Sequence, residues 1–99
     1  MLLLRINPIV VEDLQNIWSY IAEDNVEYAE KTINQIYDRF ENLKMFPDIG
    51  INLSKKVSFK TDYKYCIWKD YIIIYKVEGN YLGIYRVINR YQDITRIFE

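Results

Sequence analysis

Between Val10 and Leu43 apolar residues recur every three or four positions, whereas beyond Val57 they recur every two. The first spacing belongs to helices with one buried stripe and the second to strands, so a helical unit must be joined to a sheet. Pro47 and Gly50 stand at the change of period, where they stop a helix and turn the chain. Asn7 followed by Pro8 is a helix start, because asparagine caps and proline at the first helical position forfeits no amide bond. Val10, Leu14, Ile17, Trp18 and Ile21 then form the stripe of a helix predicted from Pro8 to about Glu23. Asn25 can cap a second helix, with Ala29, Ile33, Ile36, Phe40 and Leu43 on its apolar side and an end near Phe46. A connection this short makes the two helices an antiparallel hairpin.

Strand readings flank the hairpin. Leu2 to Ile6 is a short first strand, and Val57 to Lys60 and Tyr63 to Trp68 are strand-like. Tyr71 to Val77 is almost wholly β-branched or aromatic, as in a central strand covered on both faces. Gly79-Asn80 is a two-residue hairpin signal, and Tyr81 to Ile88 returns antiparallel. The tail from Asp93 to Phe98 forms a short terminal element. The expected fold is α+β: an N-terminal strand, an antiparallel helical hairpin, then an antiparallel three-stranded meander. Strict alternation places Tyr71, Ile73, Tyr75 and Val77 with Leu82, Ile84, Arg86, Ile88 and Arg90 on the helix-covered face. It leaves Ile72, Ile74, Lys76, Glu78, Tyr81, Gly83, Tyr85, Val87, Asn89 and Tyr91 on the other, which is the candidate working surface.

A chain of 99 residues with 51% hydrophobic content makes one domain, residues 1–99. The formal net charge of −1 gives no bulk attraction to a polyanion. Charge is uneven nonetheless: Lys55 to Arg96 is locally basic and Glu23 to Glu41 acidic. The lone Cys66, within a strand pattern, reads as an inert core thiol and agrees with a cytoplasmic location. The apolar run Met1 to Leu4 is too short for a signal peptide or membrane span.

Histidine is absent, which removes an imidazole base, a Ser-His triad and every histidine-containing metal site. One cysteine builds no thiolate cluster, and no Gly-rich phosphate loop occurs. No metal and no cofactor are expected. What remains is Tyr85, Arg86, Asn89, Arg90, Tyr91 and Gln92 along and beyond the last long strand, with Lys60 and Lys64 on an earlier one. Arg and Lys can stabilise phosphorane-like charge, and Tyr can stack a base or relay a proton. The simpler reading pairs Arg86 and Arg90 with Asp70, Asp93 or helix carboxylates and leaves the tyrosines to cover the sheet.

Three stretches resemble the RelE/ParE toxin superfamily of type II toxin–antitoxin systems. They are Ser19 to Asn25 with Ala29-Glu30, then Leu43 to Gly50, then Tyr71 to Val77 with Ile84 to Ile88 and Gln92 to Ile94. The resemblance implies a growth-inhibiting toxin neutralised by a cognate antitoxin whose extended segment wraps it. It also implies one of two targets, DNA gyrase in ParE-like members or mRNA in the ribosome in RelE-like nucleases. Several positions depart from the nuclease pattern. Ile72 stands where a catalytic arginine is common, Phe98 where a terminal tyrosine is common, and the Asn89–Arg90 region where a histidine is common. Those departures suit gyrase inhibition without a catalytic group. A nuclease would rely on Arg90, Tyr91 and Lys64, and a degenerate member would only bind its partner. For a binder, Arg86, Asn89, Arg90, Tyr91 and Tyr85 are the contact candidates.

Overall fold

In the computed structural model residues 1–92 and 94–98 are described, Ile97 and Phe98 by their backbone only. The elements are β1 (Leu3–Ile6), α1 (Pro8–Ala22), α2 (Val26–Met45), β2 (Ile51–Asn52), β3 (Lys64–Trp68), β4 (Tyr71–Glu78) and β5 (Tyr81–Asn89). Short 3-10 turns occupy Pro47–Ile49, Leu53–Lys55 and Ile94–Phe98. Both helices begin where their caps stand. The Asn7 side chain accepts from the Ile9 amide at 3.3 Å, and the Asn25 side chain accepts from the Tyr28 amide at 2.9 Å.

The strands form one sheet in the order β1-β5-β4-β3-β2. It contains the expected meander β3-β4-β5 and adds a strand at each edge. β1 runs parallel to β5, which the intervening helical hairpin permits, since a parallel pair needs a crossover connection. β2 pairs with β3 at only Ile51–Tyr65 and Asn52–Lys64. The strand expected over Val57 to Lys60 does not form. The Val57 amide turns back to Leu53 O at 3.2 Å, and just past the segment Ser54 Oγ accepts from the Thr61 amide at 2.9 Å while Asn52 Nδ2 donates to Thr61 O at 3.1 Å. Such Asn and Ser bonds compete directly with a strand ladder.

Two apolar clusters sandwich the sheet. Under the helices lie Val10, Leu14, Ile36, Phe40 and Leu43 against Ile73, Tyr75, Leu82, Ile84 and Val87. On the far face Leu53, Val57, Tyr65 and Ile94 pack on Ile72, Ile74 and Ile88. β4 is thus buried on both sides, as its composition required.

The face assignment needs correction from Val87 onward. Ile74 is paired with Arg86 but Tyr75 with Ile84, so Tyr85 is an extra residue in β5. The bulge leaves Arg86 on the helix side, where it meets Asp13 of α1, and exchanges the faces from Val87 onward. Val87 therefore belongs to the helix-side core and Ile88 to the far side, the reverse of strict alternation. The far face is accordingly no continuous polar surface, since much of it is closed by its own apolar cluster.

The loop after α2 is fixed from the sheet. The buried Tyr75 hydroxyl donates to Pro47 O at 2.7 Å and accepts from the Gly50 amide at 2.9 Å. A Cβ on Gly50 would collide with that hydroxyl and its ring, so this approach requires glycine.

Candidate functional site

Arg86 faces α1, on the helix-covered side where alternation placed it. Its Nε and Nη2 donate to the two carboxylate oxygens of Asp13 at 2.9 and 2.8 Å, and the Val87 amide donates to the same carboxylate at 3.0 Å. Asp13 is 8% exposed. Its hydrogen bonds are the main cause of an Arg86 pKa raised above the ordinary value, with burial opposing. Such a bidentate pair is strong and geometrically specific. It ties α1 to β5 and leaves Arg86 little freedom to neutralise a substrate. Of the pairings in the simpler reading, the helix carboxylate is the one Arg86 makes.

Beside that pair lies an open depression of about 450 Å³, formed by Asn16, Ile17 and Tyr20 of α1, Asp70 and Tyr71 at the start of β4, and Asn89 and Gln92. Arg90 and Tyr91 follow at its rim, where β5 has ended. The Arg90 amide donates to Asp70 O at 2.7 Å, and its Nη1 reaches Lys69 O at 3.4 Å. Its guanidinium stands 5.7 Å from the Tyr91 ring centroid. The Tyr91 amide donates to Asn89 Oδ1 at 2.8 Å, and its ring is 78% exposed. Asp93 and the Phe98 side chain lie outside the described residues.

Residues far apart in sequence complete this end of the molecule. The two-residue turn Lys69-Asp70 joins β3 to β4 with Lys69 at φ 53°, a left-handed conformation uncommon outside glycine. The Lys69 ammonium consequently projects over aromatic rings, 4.9 Å from Trp68 and 5.8 Å from Tyr28, and reaches Gln35 at 3.3 Å. Trp68 stacks on Tyr71 with centroids 6.4 Å apart. Tyr20, on the last turn of α1, is 78% exposed. The Tyr71 phenol is pushed above its ordinary pKa by burial first and by Asp70 next, so it is a poor source of phenolate. The cluster presents aromatic faces and two cations, a combination suited to binding.

The other candidates lie elsewhere. Lys64 opens β3 opposite Asn52 and Tyr75, whereas Arg90 sits at the turn beyond the other end of that strand. Five steps along strand and turn carry the chain from Lys64 to Lys69, roughly 16 Å between Cα atoms at the usual rise. Lys60 is exposed in the loop before β3. Tyr85 packs its ring 4.9 Å from Tyr63 on the far face. Arg86 and Asn89 therefore share the depression, Arg90 and Tyr91 rim it, and Lys60, Lys64 and Tyr85 stand apart. Ile72 is 2% exposed inside the far-face cluster. Sequence reasoning missed Asp13, Tyr20, Tyr28, Trp68 and Lys69. The one available signal was the Lys69-Asp70 interruption between two apolar strands. No group of His, Cys, Asp or Glu among the described residues could hold a metal. No described helix is long and apolar enough to cross a membrane.

A family model for the ParE toxin of the type II toxin–antitoxin system parDE matches residues 4–94. Among solved structures the fold is similar to the chromosomal ParDE toxin–antitoxin system from P. aeruginosa, with TM-score 0.74 and 18% identity over 90% of this chain and 96% of that one. No curated protein sequence matches.

Proposed function

The chain belongs to the ParE toxin family of type II toxin–antitoxin systems, and on that premise we propose that it arrests bacterial growth by binding DNA gyrase and is neutralised by a cognate antitoxin. The observation that carries this reading is the make-up of the exposed surface where β5 ends. Tyr20, Tyr28, Trp68, Tyr71 and Tyr91 gather there with Lys69 and Arg90, without an imidazole or an assembled acid–base pair. Tyrosine, tryptophan and arginine are the residue types that dominate protein–protein hot spots. The residues an RNA-cutting centre would use are divided between the two ends of β3, with Lys64 at its start and Arg90 and Tyr91 beyond its end, which favours the binding reading.

The antitoxin is assigned to other apolar ground. The outer groove of the helical hairpin exposes Val11 and Tyr37 beside Trp18 and Ile33, and covering it would remove contiguous apolar surface from water. The target-binding end can then be tested apart from neutralisation.

Two measurements on induced cells and purified protein test the reading together. Gyrase supercoiling should be inhibited by the toxin and restored by the antitoxin, while mRNA 5′ ends stay unchanged after induction. Codon-phased mRNA cleavage with unimpaired supercoiling would establish a ribosome-dependent nuclease instead. Normal growth with abundant soluble toxin would identify a degenerate binding module.

A further inference from the structure

At the opposite end of the sheet a second depression is built around a glycine. Arg5 of β1, Gly83 of β5 and Lys76 of β4 form one row across three strands. With strands spaced about 4.8 Å apart, the two cationic residues flank Gly83 with their Cα atoms roughly 10 Å from each other. Tyr63 and Tyr85 wall the space with rings 4.9 Å apart and tilted by 40°. The resulting open cavity measures about 310 Å³, with Glu78 at its edge and the cap Asn7 and Pro8 of α1 at its rim.

The backbone does not demand glycine at position 83. A Cβ there would meet only Lys76 O, at 3.6 Å, which is ordinary contact. Glycine inside a strand weakens it and often marks a close approach by a ligand or another backbone. Here the missing side chain opens the floor between the two cations. Those cations rest on aromatic faces: Arg5 lies 4.0 Å over the Tyr81 ring, and Lys76 is 5.3 Å from the Tyr63 ring. Lys76 also stands 3.6 Å from the Glu78 carboxylate. Two positive charges thus face one negative, and the N-terminus of α1 adds positive partial charge.

We propose that this pit binds a nucleotide, with the base laid over Gly83 against the Tyr63–Tyr85 wall and the phosphate held between Arg5 and Lys76. A simple anion would leave the aromatic wall unused, and an apolar ring alone would leave both cations unused. A free nucleotide and a nucleotide within a single strand carry the same chemistry, which combines stacking with charge-assisted hydrogen bonds. The site lies away from the surface assigned to gyrase, so its success or failure is independent of that reading.

Calorimetric titration of the chain provides the test, with AMP, adenosine, inorganic phosphate and a short oligoadenylate as probes. AMP should bind with Kd below about 1 mM, and adenosine and phosphate at least about tenfold more weakly. Arg5→Gln and Lys76→Gln should each weaken AMP by about tenfold or more through loss of a charge-assisted contact. Glu78→Gln should tighten it several-fold by removing the opposing charge, and Gly83→Val should abolish it by filling the floor. If Gly83→Val lowers the melting temperature, the Arg5→Gln and Lys76→Gln results decide instead. Oligoadenylate binding far more tightly than AMP, with strong salt dependence, would make the strand the source; comparable affinities would make it the free nucleotide. Failure of the wild-type chain to bind either AMP or the oligonucleotide would overturn the proposal. So would AMP affinity unchanged in both cation variants.

Discussion

Replacing Asp13 with Ala should cost this domain a large part of its stability. The carboxylate accepts from Arg86 twice and from the Val87 amide once, at 2.8 to 3.0 Å. Asp13 is 8% exposed and the Arg86 side chain 17%. Alanine would leave a guanidinium and a buried amide without their acceptor at the bulge. Removing one partner of a buried pair costs about 3–5 kcal/mol. The residual access of Arg86 to water favours the lower end, about 3 kcal/mol, against a total of roughly 5–15 kcal/mol for a domain of this size. Urea unfolding followed by tryptophan fluorescence would report the change through Trp18 and Trp68. With a slope near 1.5 kcal/mol/M the midpoint should fall by about 2 M at unchanged slope. The double variant Asp13→Leu with Arg86→Met should recover most of the loss, since an apolar pair of similar volume can match a buried ion pair. A loss below about 1 kcal/mol for Asp13→Ala would refute the reasoning, because it would make the pair equivalent to an exposed salt bridge.

Four further outcomes follow from other sites. Arg90→Ala combined with Tyr91→Ala should abolish growth arrest while leaving melting temperature and antitoxin binding close to wild type, because both side chains are exposed; full toxicity from a folded double variant would discard this surface. Tyr75→Phe should destabilise by about 1–3 kcal/mol in urea titrations, since Gly50 N–H and Pro47 O lose their shared partner. Burial is the main cause that pushes the Cys66 thiol up to about 11 from 9.0 and the Tyr75 phenol up to about 12 from 10.0. Both groups hold their protons more tightly when folded, so their contribution is complete below pH 9 and is lost as pH rises from about 9 towards 12; equal urea midpoints at pH 8 and pH 11 would contradict it. The same shift should make Cys66 react with a thiol reagent at pH 8 roughly a hundredfold more slowly than in the unfolded chain, because the thiolate is the reactive form.

Local signals carried much of the architecture. Asn7 and Asn25 marked the helix starts to the residue, because a cap is satisfied by amides only two or three positions away. The stripe Ala29 to Leu43 and the unbroken apolar run of β4 likewise report burial through nearest neighbours. Gly79 supplied the positive φ of 58° that its hairpin turn needs. Resemblance in the ordered stretches added the family. Other features depended on pairings that no window of sequence contains. Alternation along β5 was legible only as far as Arg86, since a bulge arises from the register against β4 and reverses the side chains from Val87 onward. Asp13 reads locally as one more polar helix residue, and only the packing of α1 on β5 brings it to Arg86, 73 positions away. Arg90 and Tyr91 stood out in the sequence, but Tyr20, Tyr28, Trp68 and Lys69 join them from three other elements. Their convergence is set by the sandwich of hairpin on sheet, a long-range arrangement that chain proximity and periodicity do not encode.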